Sequence, residues 1–181
     1  MPSPLGHALA GLTVGWLGDP APARRSPWWK DAVTSFAVGG ALMAALPDAD
    51  LLVPIHHFHR TATHSLAATA LILIMTAVVT GKVTGRPNWR LATMLATAQL
   101  THLLMDWLGY DRNPPPGIQL FWPISRTYFI SGWEWFPPTA REELSLYMVG
   151  VNAWAAVYET LAVGPFAALA WVLRRRRARQ A

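Results

Sequence analysis

The feature that most constrains this chain is the way its apolar residues are gathered. They form long blocks nearly empty of charge, and the charged residues are left in short stretches between them. A helix crossing the hydrocarbon core of a bilayer needs about 20 mostly apolar residues. Four blocks qualify: Asp31 to Leu46 (from Trp28 if the Trp28-Trp29 pair is included), Ser65 to Val83, Leu91 to Leu108 and Leu144 to Leu173. A fifth, Leu5 to Leu17, is apolar but would reach only about 20 Å as a helix, and its Gly11-x3-Gly15 pair predicts close packing against a neighbour. Only 14% of the 181 residues are charged, against about 25% in an ordinary soluble domain. The absence of cysteine excludes a disulfide scaffold, a thiolate zinc finger and an iron–sulfur protein, and the apolar content excludes a disordered tail. The expected fold is all-α: a polytopic transmembrane helical bundle of about five helices, the first of them short. Residues 1–173 read as one domain with an extracytoplasmic loop at about 109–143, and residues 174–181 as a basic cytoplasmic tail.

Lysine and arginine placement orients the bundle. The run Arg174, Arg175, Arg176, Arg177 and Arg179 belongs in the cytoplasm. Counting crossings backwards places Lys82, Arg86 and Arg90 on the same side, and then Arg24, Arg25 and Lys30. Eleven of the fifteen basic residues thus fall inside, and only Arg60, Arg112, Arg126 and Arg141 fall outside. The N-terminus is expected outside, the C-terminus inside, and the chain integral to the cytoplasmic membrane, with the lipid bilayer as its first partner. The excess of basic charge needs no nucleic acid, because juxtamembrane positions and anionic lipid account for it. Trp107, Trp122, Trp133 and Trp135 fall near the outer interface, and Trp16, Trp28, Trp29, Trp89 and Trp171 near the inner one, as an aromatic belt should. The N-terminus lacks a basic region and an A-x-A-like site, so no removed signal peptide is expected.

This topology, derived from lysine and arginine alone, brings the histidines together. His7, the run His56, His57, His59 and His64, and His102 all fall at the outer ends of their blocks, as do Asp48, Asp50 and Asp106. Three local patterns carry chemistry. Pro47-Asp48-Ala49-Asp50 ends a helix and offers carboxylate oxygens to a divalent cation, although Pro-Asp is also an ordinary turn. His59-Arg60-Thr61-Ala62-Thr63-His64-Ser65 places two imidazoles beside hydroxyls that can cap a helix or bond a ligand, and equally reads as a polar interfacial loop. His102-x3-Asp106 puts both side chains on one helix face, with Gln99 on the same face. Ionisable residues inside a span are costly and mark function or a buried pair. Together the patterns favour a metal site. Without cysteine and with several carboxylates, zinc or manganese is expected, as one or two ions.

Glu159, near the middle of the last block with Asn152 on its face, should point into the bundle. It reads as a proton carrier, a deep ligand, a partner for Gln99 or helix–helix glue. The stretch from Gly109 to Pro138 is rich in aromatics and prolines and lies over the outer surface. A segment of that length without regular structure forms a lid or binding loop, or hugs the membrane through its tryptophans.

The early histidine, Pro47-Asp48-x-Asp50, His59-Arg60-x3-His64-Ser65, His102-x3-Asp106 and Phe121-Trp122-Pro123-x-Ser125 together resemble the YdjM-like inner-membrane proteins over His7 to about Ser125. The resemblance implies a membrane-bound, metal-dependent hydrolase with His7, Asp48, Asp50, His59, His64, His102 and Asp106 at the metal site. His56 and His57 match no motif of that family.

The expected chemistry is hydrolysis, in which a divalent ion activates water and polarises a phosphoryl or acyl oxygen. An unliganded carboxylate, Asp50 or Asp106, would take the proton. Arg60 and Arg126 would hold an anionic substrate group, and the depth of the site favours a lipid or lipid-linked ester. Two rivals stand beside this reading. A metal- or proton-linked transporter would need polar residues along the whole crossing, where only Gln99, Asn152 and Glu159 lie deep. A non-catalytic scaffold would enclose a structural ion completely. The oligomeric state is not legible from the sequence.

Overall fold

A computed structural model describes residues 1–20, 32–52, 59–140 and 145–180. Among the described residues the main regular elements are five α-helices and two short 3-10 helices, and no strand forms. The first helix, α1 (Pro4–Gly18), starts where its sequence prescribes. Ser3 accepts a hydrogen bond from the Gly6 N–H, and Pro4, which has no N–H to lose, opens the first turn. Helix α2 (Ser35–Ala45) is capped by Thr34 and passes into a 3-10 helix over Leu46–Leu52. Pro47 sits at that change, where it cannot supply the α-helical donor. A 3-10 turn over Ala62–His64 leads into α3 (Leu66–Thr84), capped by Ser65 and closed by Gly85 in the left-handed conformation. Asn88 caps α4 (Trp89–Leu108), and α5 (Leu146–Gln180) runs for 35 residues with Pro165 inside it. The helix continues unbroken through Arg174–Gln180, so the terminal arginines form its last turns.

Helices α1 to α5 alternate in direction. One end of the bundle gathers the start of α1, the end of α2, the start of α3 and the end of α4. The other gathers Lys82, Arg86, Arg90 and the arginines of α5. Contact between α1 and α2 is close because both lack side chains where they cross. A Cβ on Gly11 would run into the Gly40 carbonyl oxygen, one on Gly40 into that of Gly11, and one on Gly15 into that of Phe36.

Three stretches are long and apolar enough to cross a membrane: Ser35–Leu52, Leu66–Thr84 and Leu146–Arg177. The expected fourth, Leu91 to Leu108, forms a helix of sufficient length but is less apolar, because it carries Gln99, His102 and Asp106. It is also the most enclosed, with ten of its 20 residues buried. By contrast α3 buries only Thr69 and Ala77 and turns Leu71, Ile74, Met75, Val78 and Val79 outward. An apolar outer ring around a polar central helix is the arrangement that lipid on one side and a functional interior on the other require.

The stretch after α4 is folded back over the histidine end of the bundle. Gly109 bridges to Phe136 and Ile118 to Phe129. The Trp135 N–H donates to the Leu108 carbonyl at 2.8 Å, and the Leu66 N–H to that of Leu120 at 2.9 Å. Ile118 is fully buried and Phe136 nearly so. Backbone pairing and these two anchors hold it as an ordered cover without helix or sheet.

Candidate metal centre

Four elements bring five side chains to the same point. His7 lies one turn into α1, His102 and Asp106 share the last turns of α4, Asp48 projects from the 3-10 helix after α2, and His64 ends the turn before α3. His7, His64 and His102 are fully buried, and Asp106 almost so. The His102 Nε2 lies 3.1 Å from Asp106 Oδ2, His64 Nε2 3.5 Å from the same oxygen, and His7 Nε2 3.4 Å from Asp106 Oδ1. Asp48 Oδ1 stands 3.7 Å from His64 Nε2 and 3.9 Å from His102 Nε2. Ligand atoms at zinc bond lengths in a tetrahedron sit about 3.3 Å from one another. The five side chains are therefore spaced as ligand atoms around an ion are spaced.

Their hydrogen bonding completes the picture. Eight buried side-chain nitrogen or oxygen atoms among the described residues have no hydrogen-bond partner. Seven of them are His7 Nδ1 and Nε2, His64 Nε2, His102 Nε2, Asp48 Oδ2 and both Asp106 oxygens. An unmet buried polar atom costs about 1–3 kcal/mol, and so many in one place mark a site where the fold accepts a cost. A cation held among them would engage those atoms that face the centre.

The nitrogens of His102, His59 and His64 that face away from the centre are engaged, and that of His7 is not. His102 Nδ1 lies 2.8 Å from the Ala44 carbonyl. A carbonyl only accepts, so Nδ1 carries the proton and Nε2 turns its lone pair inward. Asp50 is arranged to do the same for two rings, its Oδ1 2.7 Å from His59 Nδ1 and its Oδ2 3.4 Å from His64 Nδ1. The Thr63 hydroxyl donates to Asp50 Oδ2 at 2.7 Å. Both Asp50 oxygens therefore face outward partners and not the centre, and Asp106 lies among three imidazoles. Asp50 is thus engaged by two rings and a hydroxyl, whereas neither Asp106 oxygen has a hydrogen-bond partner.

Two sets of residues bring one ligand atom each within 4.8 Å of the others: His7, His102 and Asp106, and Asp48, His59 and His64. Six of the seven sequence-predicted metal-site residues make up these two sets, which His64 and Asp48 join to one another, and the seventh, Asp50, stands behind His59 and His64. His56 and His57 lie outside the described residues.

The remaining predicted residues are distributed differently. The Arg60 guanidinium pairs with Asp111, which also accepts from the Asn113 and Gly117 N–H groups. Arg60 and His59 line a cleft of about 420 Å³ with Tyr110, Asn113 and Thr139. Arg126 is exposed and does not line that cleft. Gln99 accepts from the Thr69 hydroxyl and donates to the Thr63 carbonyl at 3.0 Å, tying α3 and α4 to the turn that carries His64. Glu159 meets Ser3 and not Gln99, which corrects the pairing suggested by depth alone: the Ser3 N–H donates to Glu159 Oε1 at 2.7 Å, and the Ser3 hydroxyl to Oε2. Asn152 holds the Ala140 backbone at 2.8 and 2.9 Å.

Sequence reading passed over Asp111, the Ala44 carbonyl and Ser3. Of these, only Ser3 left a signal, as a serine directly before a helix-opening proline.

Fold and cluster together define an all-α membrane protein with a buried histidine–aspartate centre at one end of its bundle. The chain belongs to the YdjM inner membrane protein family, whose match covers residues 1–179 and so extends past Ser125 through the last helix. No curated protein and no solved structure matches it.

Proposed function

We propose that this protein is a membrane-bound, metal-dependent hydrolase of phosphoryl or acyl esters. The observation that carries the reading is the convergence of seven unpartnered buried polar atoms from His7, Asp48, His64, His102 and Asp106. These residues, with His59 at the cleft side, would hold one or two divalent ions, zinc or manganese by donor type. Bound there, such an ion supplies Lewis acidity and an activated water. Asp50 holds the His59 and His64 rings, and the Ala44 carbonyl holds His102. Arg60, fixed by Asp111, presents a polar wall to the substrate where the cleft meets His59, and Arg126 lies away from that cleft.

Depth supports a lipid or lipid-linked substrate. His7 stands 11 residues before the end of α1, about 16 Å along the helix, in a hydrocarbon core about 30 Å thick. The centre thus lies within the apolar slab, beneath the folded cover. By the lysine and arginine distribution, residues 1–173 form the membrane domain, with the centre and residues 109–143 on the outer face, the N-terminus outside and the basic tail in the cytoplasm.

A transporter is less well supported. Gln99, Asn152 and Glu159 are each engaged within the protein, and the polar cluster occupies one end of the bundle. An enclosing structural ion is countered by the cleft that reaches His59.

The test is metal content of the detergent-purified protein beside His64→Ala and His102→Ala. One or two equivalents of zinc or manganese in the wild type, lost in both folded variants, is expected, followed by turnover of long-chain phosphate or acyl esters. No stoichiometric metal after reloading would sink the reading. Stoichiometric metal with no turnover across both ester classes would leave a structural ion.

A further inference from the structure

Among the three fully buried histidines, His7 differs in how it is held. His102 is fixed from behind by the Ala44 carbonyl, and His64 by Thr63, whose hydroxyl lies 3.0 Å from its Nδ1, and Asp50. Neither ring nitrogen of His7 has a hydrogen-bond partner. Its ring stacks on His102 at 3.8 Å between centroids and faces Asp106 Oδ1 at 3.4 Å, but no group holds it from behind, where its position is set by the backbone of α1. That backbone is gripped at one residue. Ser3, the N-cap, donates its N–H and its hydroxyl to the two oxygens of Glu159 on α5, while its side chain accepts from the Gly6 N–H and its carbonyl from the His7 N–H at 3.2 Å. Gly6 leaves room for this contact, because a Cβ there would collide with Glu159 Oε2. A carboxylate at a helix N-terminus also sits at the favourable end of the helix dipole.

We infer that Glu159 is the positioning residue for His7: by clamping the N-cap of α1 it sets the one imidazole of the centre that has no hydrogen bond of its own. The inference rests on the metal reading above and adds to it a residue on α5, a helix that contributes no ligand. Hydrogen-bonding groups behind a ligand are worth about tenfold to a hundredfold in metal affinity. Here the same role is exerted through one helical turn of backbone.

The test is a double-mutant cycle between Glu159→Ala and His7→Ala, read as zinc affinity by chelator competition and as the visible spectrum of the cobalt-loaded protein. Glu159→Ala should lower affinity by about tenfold or more and move the cobalt spectrum towards that of His7→Ala. In the His7→Ala background it should cost nothing further. Glu159→Gln, which keeps an acceptor for the Ser3 N–H, should recover most of the loss. Asn152→Ala removes another polar tie of the same helix and should lower thermal stability without changing affinity. If Glu159→Ala does not fold, Gly6→Ala carries the test, since the added methyl displaces the carboxylate and should give the same loss. A folded variant with wild-type affinity and spectrum would overturn the inference, as would an equal loss with and without His7. Either result would leave metal binding by the wild type intact, whereas a wild type that takes up neither zinc nor cobalt would overturn both.

Discussion

Asp50 shows how a residue's role is decided by what its oxygens already hold. Its carboxylate faces the Nδ1 atoms of His59 and His64 and accepts from Thr63, so it orients imidazoles more directly than it could serve as a base. Asp50→Asn should leave the fold intact and weaken metal binding by about tenfold to a hundredfold, measured by chelator competition. The pH dependence follows from His64. Burial by itself pushes its imidazolium down, but Asp48 and Asp50 beside it, with Asp106 close by, outweigh burial and raise it to about 9. Below that pH the metal-free ring carries a proton that an incoming ion must displace. Affinity should therefore rise with pH as that proton is given up more readily, with proton release seen by calorimetry in buffers of different ionisation enthalpy. A flat profile would remove His64 from the ligand set. The identities of these residues were legible in the sequence, because histidine and aspartate at the ends of apolar blocks are costly and conspicuous. Their division of labour was not, since it depends on which lone pair faces which neighbour.

At the scale of elements, the weakest helix is the one most firmly tied. Helix α1 has 15 residues, too few to span alone, and it is fastened at both ends. Glu159 grips its start. At its end Arg174 pairs with the buried Asp19 at 2.8 Å, Arg90 donates to the Gly18 carbonyl at 2.7 Å, and Arg177 to that of Leu17 at 3.2 Å. Cations at a helix C-terminus meet the negative end of its dipole. Along its length, Gly11 and Gly15 bring it against α2, as the spacing of the glycines predicts. Gly40→Val should therefore push the two helices apart and destabilise the protein by about 1–3 kcal/mol, seen as a lowered unfolding midpoint in detergent. Because Ala44, the partner of His102, lies one turn further along α2, metal affinity should fall with it. An unchanged midpoint would show that the close approach is not needed. Glycine spacing marked this contact in advance, but Gly40 as the partner required the packed pair.

For the whole molecule, alternating helix directions place every described histidine at one end and Lys82, Arg86, Arg90 and the arginines of α5 at the other. A chain without cysteine allows this polarity to be read directly against the membrane. Thr127→Cys, at an exposed position of the cover, should react with an impermeant maleimide on intact cells, and Arg86→Cys, exposed at the opposite end, only after permeabilisation. The reverse pattern would invert the orientation and place the centre on the cytoplasmic face. The sequence by itself determined the all-helical class, the positions of the helices and the end at which the polar residues gather. Those follow from local hydrophobicity, capping and charge, which act over one helix at a time and leave their mark in consecutive residues. Only the tertiary structure decided that α4 is the enclosed helix, that Glu159 answers to Ser3 and not to Gln99, and that Asp50 stands behind the rings. Each of these depends on distances between residues far apart in the chain, fixed by how helices rotate and slide as they pack.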